Sequence, residues 1–173
     1  KLKCFAGLTL HSKIALSMSA GLILLGTVAF FVFEYNNPLT IQGYSFADKL
    51  QVSFFQSVTT RTAGFATIPQ QNLTNASSVL CLLLMFIGGS PVGTAGGIKT
   101  VTFAVLIVSA LATIQNKQEV SLFNRNISKQ TVNKAVAVTM MSFAIVFAST
   151  VLLSAVTNAD VLDMEALWIE DRD

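Results

Sequence analysis

Residues 57–65, SVTTRTAGF, set hydroxyl side chains, one arginine and one glycine between segments apolar enough for a lipid bilayer. Polar backbone of this kind is expensive at bilayer depth unless its N–H and C=O groups meet protein, water or an ion path. The chain on either side must therefore carry this stretch out of the membrane or place it where polar backbone is used.

The flanks decide that a membrane is involved. Hydrophobic residues make up 53% of the chain and charged ones 12%, about half of the roughly 25% usual in soluble domains. The first apolar run, residues 14–33, has the ~20-residue length that crosses a hydrocarbon core, and no small-residue cleavage pattern follows it, so it reads as a true span rather than a signal peptide. Gly21 and Gly26 sit in it at small-residue spacing; they either admit a neighbouring helix or relieve packing locally. Glu34, Tyr35, Asn36, Asn37 and Pro38 then end the span with an acid, an interfacial aromatic and turn formers.

Residues 46–58, FADKLQVSFFQSV, repeat apolar positions at helical spacing but would reach only ~20 Å, short of a core ~30 Å thick. They fit either a re-entrant half-helix or an amphipathic helix lying at the interface. The sequel favours the first, because 59–65 runs on into Ala66, Thr67 and Ile68 with a single glycine and no acid. A second apolar region, 79–114, is interrupted at 88–97 by GGSPVGTAGG. Its first part is too short to span and the whole too long for one straight helix, the pattern of a broken membrane helix. Residues 115–134 form a polar loop, 135–156 a further span, and 157–173 an acidic tail. Lys1, Lys3 and Lys13 in the lead (1–13) and Lys117, Arg125, Lys129 and Lys134 in the loop are most of the 11 basic residues. Both segments are expected in the cytoplasm, which places the tail outside.

Several apparent motifs carry no chemistry. GTAGGIKT lacks the glycine directly before lysine that a phosphate loop needs. His11 has no second ligand at metal spacing, and Cys4 and Cys81 fit neither a disulfide framework nor a zinc site. Asn72, Asn75 and Asn126 match glycosylation acceptors, a pattern with meaning only in a secretory context. The basic residues are not interleaved with aromatics on a polar face, so no nucleic-acid partner is expected. No set of nucleophile, base or paired carboxylates supports an enzyme.

What remains is a cation site of main-chain carbonyls. Thr62, Ala63, Gly64 and Phe65 are small enough at the critical positions, glycine permits unusual backbone angles, and hydroxyls on Thr59, Thr60 and Thr62 can tie down strained groups. A half-helix descending from outside points a partly negative C-terminus at mid-membrane, which favours a cation. Arg61 must then point away from the axis and brace the loop against backbone or an acid elsewhere. On physical grounds alone TAGF is a weak signal.

The half-helix with TTRTAGF, followed by MFIGGSPVGTAGGIKT, resembles the Trk/Ktr/HKT potassium transporter superfamily, closest to the Ktr-type bacterial membrane subunit. The resemblance covers nearly the whole chain to about residue 156 and looks like the third of four repeats plus the first helix of the fourth. It implies an all-α integral membrane protein: outer helix (14–33), re-entrant pore helix (46–58) with filter loop (59–65), broken inner helix (79–114), and the outer helix of a further repeat (135–156). It implies a potassium filter at Thr62, Ala63, Gly64 and Phe65, supported by Thr59, Thr60 and Arg61. It also implies an intramembrane gate built from Gly88, Gly89, Ser90, Gly93, Thr94, Gly96, Gly97 and Lys99, although a static kink would read the same way. Lys99 is costly against lipid and is expected to latch the loop or repel cations.

Further implications are membrane lipid, the remaining repeats, a homodimer and a peripheral cytoplasmic nucleotide-binding regulatory subunit as partners. Potassium is the ion, sodium a candidate coupling ion, no covalent cofactor is implied, and the location is the bacterial plasma membrane, multi-pass. One departure is the tail, ADVLDMEALWIEDRD, which lacks the glycine turn of a fourth filter; a fragment of a longer product or a lost reading frame is expected. The competing functions are a secondary transporter of another fold with substrate at the broken helix, and a non-transporting scaffold.

Overall fold

The structure, a computed structural model, describes residues 8–90, 95–116, 120–122 and 125–170. It divides into two compact units, Lys1–Ala135 and Val136–Asp173.

In the first unit, α1 (Leu10–Glu34) opens where the Thr9 hydroxyl accepts from the Ser12 amide at 3.3 Å, satisfying one of the orphan donors of a helix start. It is 25 residues long, or about 37 Å. α2 (Phe46–Thr59) occupies the segment read as a pore helix. Ser45 caps it, accepting from the Asp48 amide at 3.3 Å while its hydroxyl donates to the Asp48 carboxylate at 2.7 Å. A short 3₁₀ turn (Gln70–Asn72) leads into α3 (Asn75–Phe86), capped by Thr74. After the interruption comes α4 (Thr100–Ile114).

α1 and α3 meet in a small core of Leu22, Phe30 and Leu84, flanked by Leu80, Cys81, Ile87 and Phe103. Two features hold α2 to this pair. The Ser57 hydroxyl, fully buried, donates to the Ile23 carbonyl at 2.8 Å. Gly26 lets it approach: a Cβ there would collide with the Ser57 hydroxyl and lie 3.1 Å from a Leu84 methyl. Gly21 has nothing within 4 Å. Of the two glycines at equivalent spacing, Gly26 therefore carries the close approach. Gly26→Ala is expected to cost about 1–3 kcal/mol through overpacking. Gly21→Ala should be neutral or stabilising by up to about 1 kcal/mol. Thermal unfolding in detergent separates them, and equal midpoints would reject the packing.

Within 115–134, the described residues include two short strands and the start of the last helix. Strands β1 (Val120–Leu122) and β2 (Arg125–Ile127) pair antiparallel with Leu122 opposite Arg125, a minor addition to an otherwise helical chain. The last helix, α5 (Lys129–Glu170), starts six residues before the expected 135, because Ser128 caps it by accepting from the Thr131 amide at 3.3 Å. It also continues past 156 into the acidic tail, whose Ala, Leu, Met and Glu are good helix formers with no Gly or Pro to stop them. By length and composition α1 and the Lys129–Thr157 part of α5 are long and apolar enough to cross a membrane.

Candidate functional site

α2 presents an unusual face inward. Lys49, Ser53, Gln56, Ser57 and Thr59 are buried, whereas Phe46, Leu50, Phe54, Phe55 and Val58 are exposed. Buried polar groups are tolerated because they are bonded: Ser53 donates to the Lys49 carbonyl at 2.8 Å, and Lys49 Nζ donates to the Tyr35 carbonyl at 3.0 Å while lying 4.1 Å over the Tyr35 ring. An ammonium at the C-terminal end of α1 is favoured by the exposed carbonyls there.

The path of the chain between α1 and α3 follows from its contacts. At its start, Lys49 meets Tyr35 at the C-terminal end of α1. Further along, Ser57 meets Ile23 and the Arg61 guanidinium reaches Ser19, donating to its carbonyl and its hydroxyl at 3.4 Å each. Ser19 lies 15 residues before Glu34 along α1, a depth of about 22 Å. The return leg comes back to the same end: Asn37 donates to the Asn72 carbonyl at 2.8 Å, and Thr74 bonds Glu34 through its amide and its hydroxyl at 2.9 Å each. Residues 45–74 thus leave and rejoin one end of α1, with their turning point beside its middle.

At that turning point the backbone departs from helix. Thr62 (φ 70°) and Gly64 (φ 81°) are left-handed, a conformation that costs a residue with a Cβ ~1–2 kcal/mol. Thr59 compensates with one hydroxyl used twice, donating to the Phe65 carbonyl at 2.6 Å and accepting from the Phe65 amide at 2.9 Å. Its carbonyl also accepts from Ala63 at 3.0 Å and Gly64 at 3.4 Å. Thr60 donates back to the Gln56 and Ser57 carbonyls at 2.9 and 3.1 Å, closing the end of α2. The tying hydroxyls are those of Thr59 and Thr60; Thr62 contributes a left-handed backbone instead. Thr62, Ala63, Gly64 and Phe65 are all exposed in this chain.

The interruption between α3 and α4 is drawn closed at its neck. Ile98 N donates to the Phe86 carbonyl at 2.8 Å and Thr100 N to the Gly89 carbonyl at 3.3 Å, which satisfies groups that the two helix ends leave open. Lys99 Nζ donates to the Ala95 carbonyl at 2.9 Å. Gly96 lies beside the turn: a Cβ on it would be 3.9 Å from the Thr62 methyl. Gly93 and Thr94 lie outside the described residues, as do Cys4 and the first residues of the basic lead.

One group escaped the sequence reading as anything but the end of a span. The Glu34 carboxylate is 1% exposed and accepts from Asn37 and Thr40 at 2.7 Å each as well as from Thr74. It sits at the N-terminus of α3, where a negative charge is favoured. The only local signal was an acid directly followed by turn formers.

With α1 and α5 of spanning character and a bonded polar hairpin between them, the chain has the build of a helical membrane protein. It belongs to the TrkH family of cation transport proteins, whose pattern it matches over residues 1–167. It is 37% identical over 160 residues to the Ktr system potassium uptake protein B of Bacillus subtilis, covering 92% of this chain and 36% of that protein. Against the potassium/sodium uptake protein NtpJ of Enterococcus hirae identity is 35%, covering 85% of this chain and 32% of that protein. Against the Ktr system potassium uptake protein B of Vibrio alginolyticus it is 34%, covering 91% and 34%. The chain thus spans about a third of the length of the curated relatives it matches. The relatives are potassium or potassium/sodium uptake proteins, transporters and not enzymes.

Proposed function

We propose that the chain supplies one repeat of a potassium uptake transporter, with residues 62–65 as one of four filter strands around a common pore. The observation that carries this reading is the hairpin that leaves and rejoins one end of α1 and turns beside its middle. In a bilayer the main-chain carbonyls of Thr62, Ala63, Gly64 and Phe65 then lie near the midplane, replacing the hydration shell of a potassium ion. The C-terminus of α2 adds a partial negative charge from the same direction. The strand's exposure is what an element awaiting three sister strands requires, and the outward apolar face of α2 suits lipid or neighbouring repeats.

Thr59, Thr60 and Arg61 support the strand from behind. Arg61 points back to α1 rather than to the turn, and its Nε has no partner among the described residues; an acid from another repeat fits there. The segment 88–97, whose Gly96 lies by the Thr62 methyl and whose Ala95 carbonyl takes a hydrogen bond from Lys99, is the gate. A Gly-rich irregular segment between two half-helices rearranges at little cost. The whole transporter works as a homodimer in the bacterial plasma membrane, under a cytoplasmic nucleotide-binding regulatory subunit. Sodium is its candidate coupling ion, in keeping with the potassium/sodium uptake protein among the relatives.

Gly64→Ser in the full-length transporter is the test. It places a Cβ on a left-handed residue, so the filter backbone must strain or shift. The ratio of potassium to sodium uptake should fall by about tenfold. An unchanged ratio in radiotracer flux rejects the filter assignment.

A further inference from the structure

Gln56 is 1% exposed and lies one turn before the end of α2. Its Nε2 donates to Gln70 Oε1 at 2.7 Å and reaches Cys81 Sγ of α3 at 3.9 Å. In return Gln70 Nε2 donates to Gln56 Oε1 at 3.3 Å and to the Ile68 carbonyl at 3.0 Å. Two primary amides thus meet head to head across the hairpin, joining the descending helix to the leg that returns from the turn. Ile68, itself buried, is separated from Phe65 by Ala66 and Thr67 only. The returning leg consequently has little slack between the amide pair and residue 65.

We infer that the Gln56–Gln70 amide pair is a specificity-determining strap: it fixes the spacing between α2 and the strand leaving the turn, and through that spacing which cation residues 62–65 accept. A leucine or methionine would fill the same volume without desolvating an amide. What the amides add is direction, since each bond tolerates only a narrow range of distance and angle. Carbonyls that replace a hydration shell discriminate by their placement and number, so a wall that sets their position acts on selectivity without touching the ion. The inference rests on the filter assignment above and names two positioning residues for it.

The test uses the full-length transporter carrying Gln56→Met together with Gln70→Met. Replacing both partners by apolar groups of similar size leaves no orphaned amide. The protein should accumulate and keep its maximal potassium uptake rate while sodium competes about tenfold better, the ratio that corresponds to one ordinary hydrogen bond. A purely structural role would lower accumulation and rate together and leave the competition unchanged, and unchanged sodium competition overturns the strap. Should the double variant fail to accumulate, Gln70→Glu decides. It keeps an acceptor for the Gln56 amide but loses both Gln70 donations, to Gln56 Oε1 and to the Ile68 carbonyl, and unchanged competition there is equally fatal. Gly64→Ser in the same assay separates the two ideas. If it shifts the ratio while the strap variants do not, only the strap fails; if it does not shift the ratio, the filter assignment itself has failed.

Discussion

Glu34→Ala is expected to lower the unfolding free energy by more than about 3 kcal/mol, because it takes the acceptor from several buried donors at once, at about 1–3 kcal/mol for each one left unsatisfied. Among the described residues Asn37 Nδ2, the Thr40 hydroxyl and the amide and hydroxyl of Thr74 converge on this carboxylate, and the Ser77 side chain bonds it as well. Deleting it takes the acceptor from the Thr74 amide, the Thr40 hydroxyl and one Asn37 N–H, while the Thr74 hydroxyl keeps Ser77, and each unsatisfied buried donor costs about 1–3 kcal/mol before relaxation. The threonine hydroxyls can rotate toward other acceptors, which keeps the total below a simple sum. The Asn37 bond to the Asn72 carbonyl survives and still links the ends of α1 and the return leg. Glu34→Gln should cost less, about 1–3 kcal/mol, since one oxygen still accepts while the new NH₂ faces donors. Thermal unfolding of the purified transporter in detergent, with Thr40→Val as a one-bond reference, gives the order Ala, Gln, Val from worst to mildest. If Glu34→Ala stays within about 1 kcal/mol of the parent, the carboxylate is solvated in the assembled protein and the hub reading is lost.

That hub shows where sequence reasoning stopped. α1 and α2 were legible because their signals are local: an apolar run of spanning length and apolar positions at helical spacing. Glu34 and Thr74 are 40 positions apart, and no local pattern links an acid after one span to the cap of a later helix. Gly21 and Gly26 look alike in sequence and differ only because Ser57 of another element arrives beside one of them. The spacing in 46–58 defined two faces of α2 but not which turns inward; Lys49, Gln56 and Ser57 do, against the habit of soluble proteins, because their partners lie on α1 and the return leg. The early start of α5 was hidden for a different reason. Its cap at Ser128 precedes the first long apolar run by several polar residues that are helix-compatible without being periodic.

The glycines that close the neck between α3 and α4 should be the least replaceable residues in the chain. Gly88→Ala would drive a Cβ into the Gly96 carbonyl, which is backbone and has no rotamer by which to yield. At Gly97 two penalties coincide: a left-handed φ of 73°, and a Cβ position 2.5 Å from the Phe86 carbonyl and 2.7 Å from that of Met85. Relief at either site requires parting Phe86 from Ile98 and Gly89 from Thr100. That exposes helix-end carbonyls and amides where an apolar surrounding offers no replacement. Each substitution is expected to cost more than about 4 kcal/mol, in the range reserved for backbone strain combined with lost buried bonds. Gly89→Ala meets one atom, the Ala95 methyl at 2.7 Å, with no left-handed φ to add strain, and should be milder. Gly96→Ala finds only the Thr62 methyl at 3.9 Å, ordinary contact, and should be tolerated best. The order Gly97 and Gly88, then Gly89, then Gly96 is measurable as yield of assembled transporter and as unfolding midpoint. A Gly88→Ala protein as stable as Gly96→Ala would mean that the neck is open in the native state. A segment already open at its neck would have nothing left to release, so its role as a gate would fall with the same result.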